Sequence, residues 1–218
     1  MNELNQLLLN FNHKQNFNYD DFYVSKSNFF AFKLIEDWPK WEKNILNIFG
    51  ETLSGKSHLT SIFLKKNKAI KINKNELNAH IITKLKTYQN IIIDNIDENI
   101  DQEILYSIFN AVDQDNKYLI INSQTPINKM KFSLKDLNSR STNCLFAKID
   151  KPDDELIFAI ILKSFSDKQV IIEKKNIDFI VKRIDRSYRK IFDFIYKLDQ
   201  LSLKKKKPIN LKIIKEIL

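Results

Sequence analysis

Gly50, Gly55, Lys56 and Ser57 stand in the order Gly-x-x-x-x-Gly-Lys-Ser, a spacing suited to holding a chain of phosphates. The chain has 2 glycines in 218 residues, and both fall where the backbone must take φ > 0 and turn its N–H groups toward an anion. Lys56 would reach the β- and γ-phosphates and Ser57 would hold Mg2+, with Ser54 and His58 flanking them in the loop and the helix start. Asp94 is the second chemical signal, at the end of Asn90-Ile91-Ile92-Ile93-Asp94. Three successive isoleucines describe a strand buried on both faces, and parallel sheets present their chemistry at the carboxyl ends of strands. A carboxylate there orients Mg2+, partly through water. Position 95 is Asn, and an amide cannot take a proton from an attacking water, so intrinsic hydrolysis is expected to be weak. Asp97 and Glu98 follow two or three residues later and would point elsewhere.

The elements that must position these residues follow from periodicity and punctuation. Residues 45–49 read as a strand and 57–65 as a helix, which puts the loop at a helix N-terminus. Further strands are expected at 69–72, 90–94, 118–122 and 144–147, alternating with helices over 76–86 and 102–112. A helix over 29–37, capped by Ser27 or Asn28 and stopped at Trp38-Pro39, precedes the first strand. Asn122-Ser123 ends the strand expected between the phosphate loop and the Asp94 strand, where a polar side chain could sense a γ-phosphate. From Lys151 onward the alternation ceases and helices over 153–164, 174–182, 187–201 and 210–218 follow. Pro152 and Pro208 mark their starts, and Asp153 and Asn210 are capping types. The expected fold class is α/β: a parallel sheet sandwiched by helices over residues 19–150, then an all-α lid over 151–218. Residues 1–18 read as a polar, disordered tail with one apolar cluster, Gln6-Leu7-Leu8-Leu9-Asn10-Phe11. That cluster reads equally as a linear motif for a partner's groove or as a hook packing on its own domain.

The balance of 36 Lys+Arg against 27 Asp+Glu gives a net charge of +9. Such a charge permits contact with nucleic acid, but Lys, Asn and Ile are abundant throughout, so composition alone produces it too. The Lys204-to-Lys207 run reads as a solvated loop. A single cysteine, Cys144, excludes an internal disulfide framework and fits a reducing compartment. No run approaches the roughly 18 apolar residues of a membrane span. The first eleven residues lack the basic flank of a secretory signal, so a cytoplasmic location is expected.

Taken in order, seven segments resemble the AAA+ ATPases and, within them, the DnaA family of bacterial replication initiators. They are Asp21-Phe22-Tyr23-Val24 with Ser27-Asn28, the Gly50-to-Ser57 loop, Ile93-Asp94-Asn95-Ile96, Asn122-Ser123-Gln124-Thr125-Pro126, Leu137-Asn138-Ser139-Arg140, Ser187-Tyr188-Arg189, and Lys207-Pro208-Ile209-Asn210. The resemblance runs from about residue 19 to the end. It implies that Phe22, Tyr23, Val24 and Asn28 surround the adenine and that Arg189 contacts phosphate within the same subunit. Arg140 would be an arginine finger reaching a neighbouring subunit's ATP, a role able to accelerate hydrolysis by about 10³–10⁵.

Three departures from the initiators are expected to matter. The sequence stops at Leu218 without a helix-turn-helix domain, it begins without a helicase-loading domain, and it carries Asn95. With the tail, these features resemble Hda, the family of regulatory DnaA relatives whose N-terminal Gln-Leu motif binds the sliding clamp of DNA polymerase III. That resemblance implies Gln6, Leu7, Leu9 and Phe11 as clamp contacts, and ADP or ATP with Mg2+ at Lys56 and Ser57, ADP being the expected nucleotide. It implies a DnaA-type initiator as the second partner, DNA reached indirectly through the clamp on the nucleoid, and no membrane; a homodimer stays open. The expected function is a regulator that promotes hydrolysis of initiator-bound ATP and prevents re-initiation. One alternative is an autonomous AAA+ ATPase acting as a helicase loader or remodelling factor. Another is a non-enzymatic nucleic-acid or membrane adaptor using the basic surface.

Overall fold

The computed structural model describes residues 21–218; Gln6, Leu7, Leu9 and Phe11 lie outside them. Strands β1 (Ile45–Phe49), β2 (Ala69–Asn73), β3 (Asn90–Ile96), β4 (Tyr118–Ser123) and β5 (Leu145–Lys148) form one parallel sheet in the order β2-β3-β4-β1-β5. The strand that feeds the phosphate loop, β1, is therefore separated from the Asp94 strand, β3, by β4 alone. Alternation explains the isoleucine run. Ile91 and Ile93 face one side, packing with Leu105, Ile108 and Phe109 of helix α4 (Gln102–Gln114). Ile92 faces the other side with Leu46, Ile48 and Ile120, against Ala31 and Ile35 of α1 (Phe29–Glu36) and Leu59 and Phe63 of α2 (Lys56–Lys66). Helices α3 (Ala79–Leu85) and α5 (Lys135–Thr142) complete the layers.

Beyond β5 the chain is helical: α6 (Asp154–Ser166), α7 (Lys174–Val181), α8 (Tyr188–Lys205) and α9 (Leu211–Lys215). These helices gather around Ile161, Phe165, Ile177, Ile180, Ile195 and Leu198. Asp153 and Asn210 cap as expected, Asp153 accepting from Leu156 N and Asn210 from Lys212 N and Ile213 N. Leu156 and Tyr188 belong to the sheet-side core instead, and the Tyr188 hydroxyl donates to Asp150 O at 3.0 Å. Leu156 and Tyr188 thus anchor the helical part to the sheet. Among the described residues no helix is long and apolar enough to cross a membrane.

Four expectations are corrected by local hydrogen bonding. The helix expected over 76–86 starts at Ala79, because Asn78 accepts from Ile81 N at 3.1 Å and so fixes the cap, while Lys74–Glu76 forms a 3₁₀ turn. Asn28 precedes α1 without capping it. Its Oδ1 accepts from Ser25 N and its Nδ2 donates to Tyr23 O, both at 2.9 Å, so the side chain pins the preceding loop. Helix α8 runs on to Lys205 and ends at left-handed Lys206, so half of the Lys204-to-Lys207 run is helical. Helix α9 ends at Lys215.

A buried cation ties the turn between α3 and β3 to the start of β4. Lys117, 5% exposed, donates to the carbonyls of Leu85, Lys86 and Tyr88 at 3.2, 2.8 and 3.0 Å, and so satisfies the C-terminal end of α3. Lys117→Met should keep the packing volume but strand these acceptors. A loss of about 2 kcal/mol in urea denaturation is expected.

Candidate nucleotide-binding site

The Gly50-to-Gly55 loop leaves β1 at Phe49 and enters α2 at Lys56, with three left-handed or near-left-handed residues between them. These are Gly50 (φ 156°), Leu53 (φ 67°) and Gly55 (φ 96°). A Cβ on Gly50 would lie 2.7 Å from the Ile149 carbonyl oxygen, and one on Gly55 would lie 3.3 Å from the Phe22 ring. Gly50 is therefore required by close approach to backbone, and Gly55 chiefly by its left-handed φ. Leu53 was not legible as a left-handed position, since leucine has no preference for that region. The loop presents the first N–H groups of α2 to whatever occupies it, the arrangement that favours anions.

Lys56 is 7% exposed, and its Nζ donates to Gly50 O at 2.8 Å and Glu51 O at 2.7 Å. Burial pushes its pKa down to about 8, against the opposing pull of Asp94 and Glu51. Asp94 gathers the remaining groups. Its Oδ1 accepts from Ser57 Oγ at 3.1 Å and from Asn122 Nδ2 at 3.0 Å, and Asn122 also donates to Thr60 Oγ1 at 3.2 Å. The Lys71 ammonium lies 2.8 Å from its Oδ2. Burial would raise the Asp94 pKa, but the hydrogen bond and charge of Lys71, with the bonds from Asn122 and Ser57, hold it below the ordinary carboxylate value. Ser57 and Asp94 thus juxtapose a hydroxyl and a carboxylate, the hard oxygen donors that Mg2+ takes, and the site fits that ion at Ser57 and Asp94.

Asn95 is exposed and sits at φ 62°, where the β3–β4 register shifts between Ile93 and Ile96. Asparagine tolerates this left-handed bulge position better than most residues. Asp97 pairs with Lys74, and Glu98 accepts from Lys131 N at 3.4 Å, so both acids are engaged away from Asp94.

On the other side of the loop, the Phe22 ring stacks on Phe32 at 5.9 Å and meets His58 edge-on at 5.2 Å. Tyr23 is exposed, Val24 half-buried, Asn28 buried, and Ser54 buried with its Oγ 3.4 Å from Lys56 Nζ. Arg189 lies exposed in the first turn of α8. Tyr188 N in that turn donates to Glu51 Oε2 at 3.2 Å, so a phosphate-loop carboxylate ties the start of α8 to the loop. A cleft of about 550 Å³ opens beside Gly50 and Glu51, walled by Gln124 to Pro126 and Lys148 to Lys151. Arg140 is not brought to this site. It lies in the last turn of α5, paired with Asp113 and 5.5 Å from the centre of the Tyr106 ring. Helices α4 and α5 both run back from the carboxyl ends of the strands toward their amino ends, so Arg140 sits at the opposite end of the sheet from Lys56.

Lys71 and Glu51 are the residues that sequence reasoning passed over. A signal existed for Lys71: a lysine between two strand isoleucines needs a partner on its own face. None existed for Glu51, whose partner is 137 residues away.

No family model matches the chain. The DnaA replication initiator of Campylobacter concisus is 26% identical over 226 residues, covering 93% of this chain and 52% of that protein. The initiator of Corynebacterium jeikeium is 26% identical over 203 residues, covering 81% of this chain and 35% of its own length. The chain thus spans about half or less of the curated relatives it matches. Domain III of Thermotoga maritima DnaA superposes with a TM-score of 0.76 at 21% identity, over 93% of this chain and 95% of that one. AMPPCP-bound DnaA of Aquifex aeolicus superposes with a TM-score of 0.69 at 20% identity, over 86% of this chain and 67% of that one. With a five-stranded parallel sheet of order β2-β3-β4-β1-β5, flanking helices and a helical C-terminal part, the chain has the AAA+ fold of DnaA domain III.

Proposed function

We propose that this protein is a nucleotide-binding regulator of replication initiation of the Hda kind, binding ADP with Mg2+ and acting on a DnaA-type initiator. The observation that carries the reading is the convergence of Ser57 and Asn122 on the buried Asp94, beside a loop that holds the buried Lys56, with an amide, Asn95, immediately after the carboxylate. That set holds a nucleotide and a cation but lacks a base to activate water, so the chemistry falls to a partner. The sheet serves as base and the C-terminal helices as lid. Glu51 links the two, and bound nucleotide stabilises the closed arrangement by mass action. Phe22, Tyr23, Val24, Asn28 and His58 contribute the adenine side, and Arg189 reaches phosphate from α8. Arg140, facing away from its own phosphate loop, acts in trans on initiator-bound ATP. The Gln6-to-Phe11 motif tethers the protein to the DNA-loaded sliding clamp, which raises the effective concentration for a weak contact.

The test is hydrolysis of ATP pre-bound to a DnaA-type initiator, with DNA-loaded clamp present and this protein added. Stimulation by wild type that is lost in Gln6→Ala supports the clamp-tethered regulator. No stimulation, together with substantial ATP turnover by the purified protein alone, would replace this reading with an autonomous ATPase.

A pH dependence follows from Lys56. Phosphate binding requires the ammonium, and a pKa of about 8 in the free protein means that binding above pH 8 must take up a proton. ADP affinity is therefore expected to fall above pH 8, by up to about tenfold per unit. Calorimetric titrations across this range in two buffers would read both the affinity and the proton uptake. An affinity unchanged up to about pH 9 would overturn this expectation.

A further inference from the structure

We propose that Lys71 is a tethered counter-cation for Asp94, which lets the site hold a nucleoside diphosphate with little dependence on Mg2+. The inference rests on the nucleotide-site reading above and adds a residue to it. Lys71 lies in β2 in register with Ile92 of β3, two residues before Asp94, so Lys71, Ile92 and Asp94 share one face of the sheet. Its neighbours Ile70 and Ile72 are buried on the opposite face, so the pleat fixes the direction of Lys71. The side chain is 27% exposed, and its ammonium meets Asp94 Oδ2 at 2.8 Å. The other carboxylate oxygen, Oδ1, is taken by Ser57 and Asn122.

The electrostatic consequence is specific. Asp94 is 4% exposed and stays charged beside the loop, where it would repel the negative charge of a diphosphate. A free metal ion can cancel that repulsion only by being bound and ordered. Lys71 cancels it from a covalent attachment on a strand already held by the sheet, and a metal ion must share Asp94 with it. A purely structural role would also follow from the ion pair, since removing one partner leaves a buried charge uncompensated. The two roles differ in what Mg2+ does to nucleotide affinity.

The experiment measures binding of fluorescent mant-ADP to the full chain in saturating MgCl2 and in EDTA, for wild type, Lys71→Met and Lys71→Arg. Wild type and Lys71→Arg are expected to lose less than about threefold in affinity on metal removal. Lys71→Met is expected to lose at least about tenfold, because Mg2+ then becomes the only counter-charge that can meet the Asp94 carboxylate directly. Equal losses in wild type and Lys71→Met would overturn the inference while leaving the nucleotide site intact. So would a loss of about tenfold or more in wild type alone, which decides the matter even if Lys71→Met fails to fold. Absence of mant-ADP binding by folded wild type in both conditions would overturn the nucleotide-site reading, and this inference with it.

Discussion

Arg140→Ala is expected to lower the stimulation of initiator-bound ATP hydrolysis by about 10³-fold or more, while the variant's own ADP affinity stays unchanged. The size comes from the role: an arginine supplied in trans neutralises charge that develops on the transferring phosphoryl group, and alanine leaves that charge unmet. The selectivity comes from position. Arg140 lies in the last turn of α5 at the far end of the sheet from Lys56, so its removal touches none of the groups around Asp94. The fold should tolerate the change. The Arg140–Asp113 pair is between side chains 35% and 44% exposed, and surface pairs of this kind contribute about 0–1 kcal/mol. The measurement is single-turnover hydrolysis on the initiator with DNA-loaded clamp, beside a thermal melt of the variant. Full stimulation by Arg140→Ala would leave the regulator reading standing and remove the arginine from it.

The second large effect is on stability. Gly50→Ala should cost about 3 kcal/mol, or a drop in Tm of about 6–12 °C. The new methyl would lie 2.7 Å from Ile149 O, an atom of the backbone and not the end of a side chain that could swing away. That backbone is fixed, because Ile149 N donates to Phe49 O at 2.8 Å where β1 and the chain after β5 run side by side. Gly55→Ala meets only the Phe22 ring, at 3.3 Å, which can shift, so its cost is mainly the left-handed φ of 96°, about 1–2 kcal/mol. Calorimetric melts of the two variants side by side check the argument. Equal losses would mean that backbone conformation, and not close approach to Ile149, limits position 50.

The strands were legible because their burial is periodic and local. Ile91, Ile92 and Ile93 announce a two-faced strand in three residues, and Ile45 to Phe49 needs no distant partner to be read as one. Helix ends were less legible where an asparagine could bond in two directions. Asn78 took the cap and delayed α3, whereas Asn28 turned back to Ser25 and Tyr23 and left α1 uncapped. Both residues are capping types, and only the surrounding backbone decides which N–H they meet.

By itself the sequence determined the strand–loop–helix around Gly50 to Ser57, the carboxylate near the end of β3, the amide after it, and the change from alternating to all-helical structure. Each of these is a property of residues within about ten positions of one another, where backbone geometry and pleat leave few choices. Only the tertiary structure decided that Asp94 meets Lys71, that Glu51 meets the start of α8, and that Arg140 lies away from its own loop beside Asp113. Those contacts depend on the order β2-β3-β4-β1-β5 and on the register between strands. Order and register are set by how the crossovers fold and by packing of the two sheet faces, which no local pattern of residues encodes.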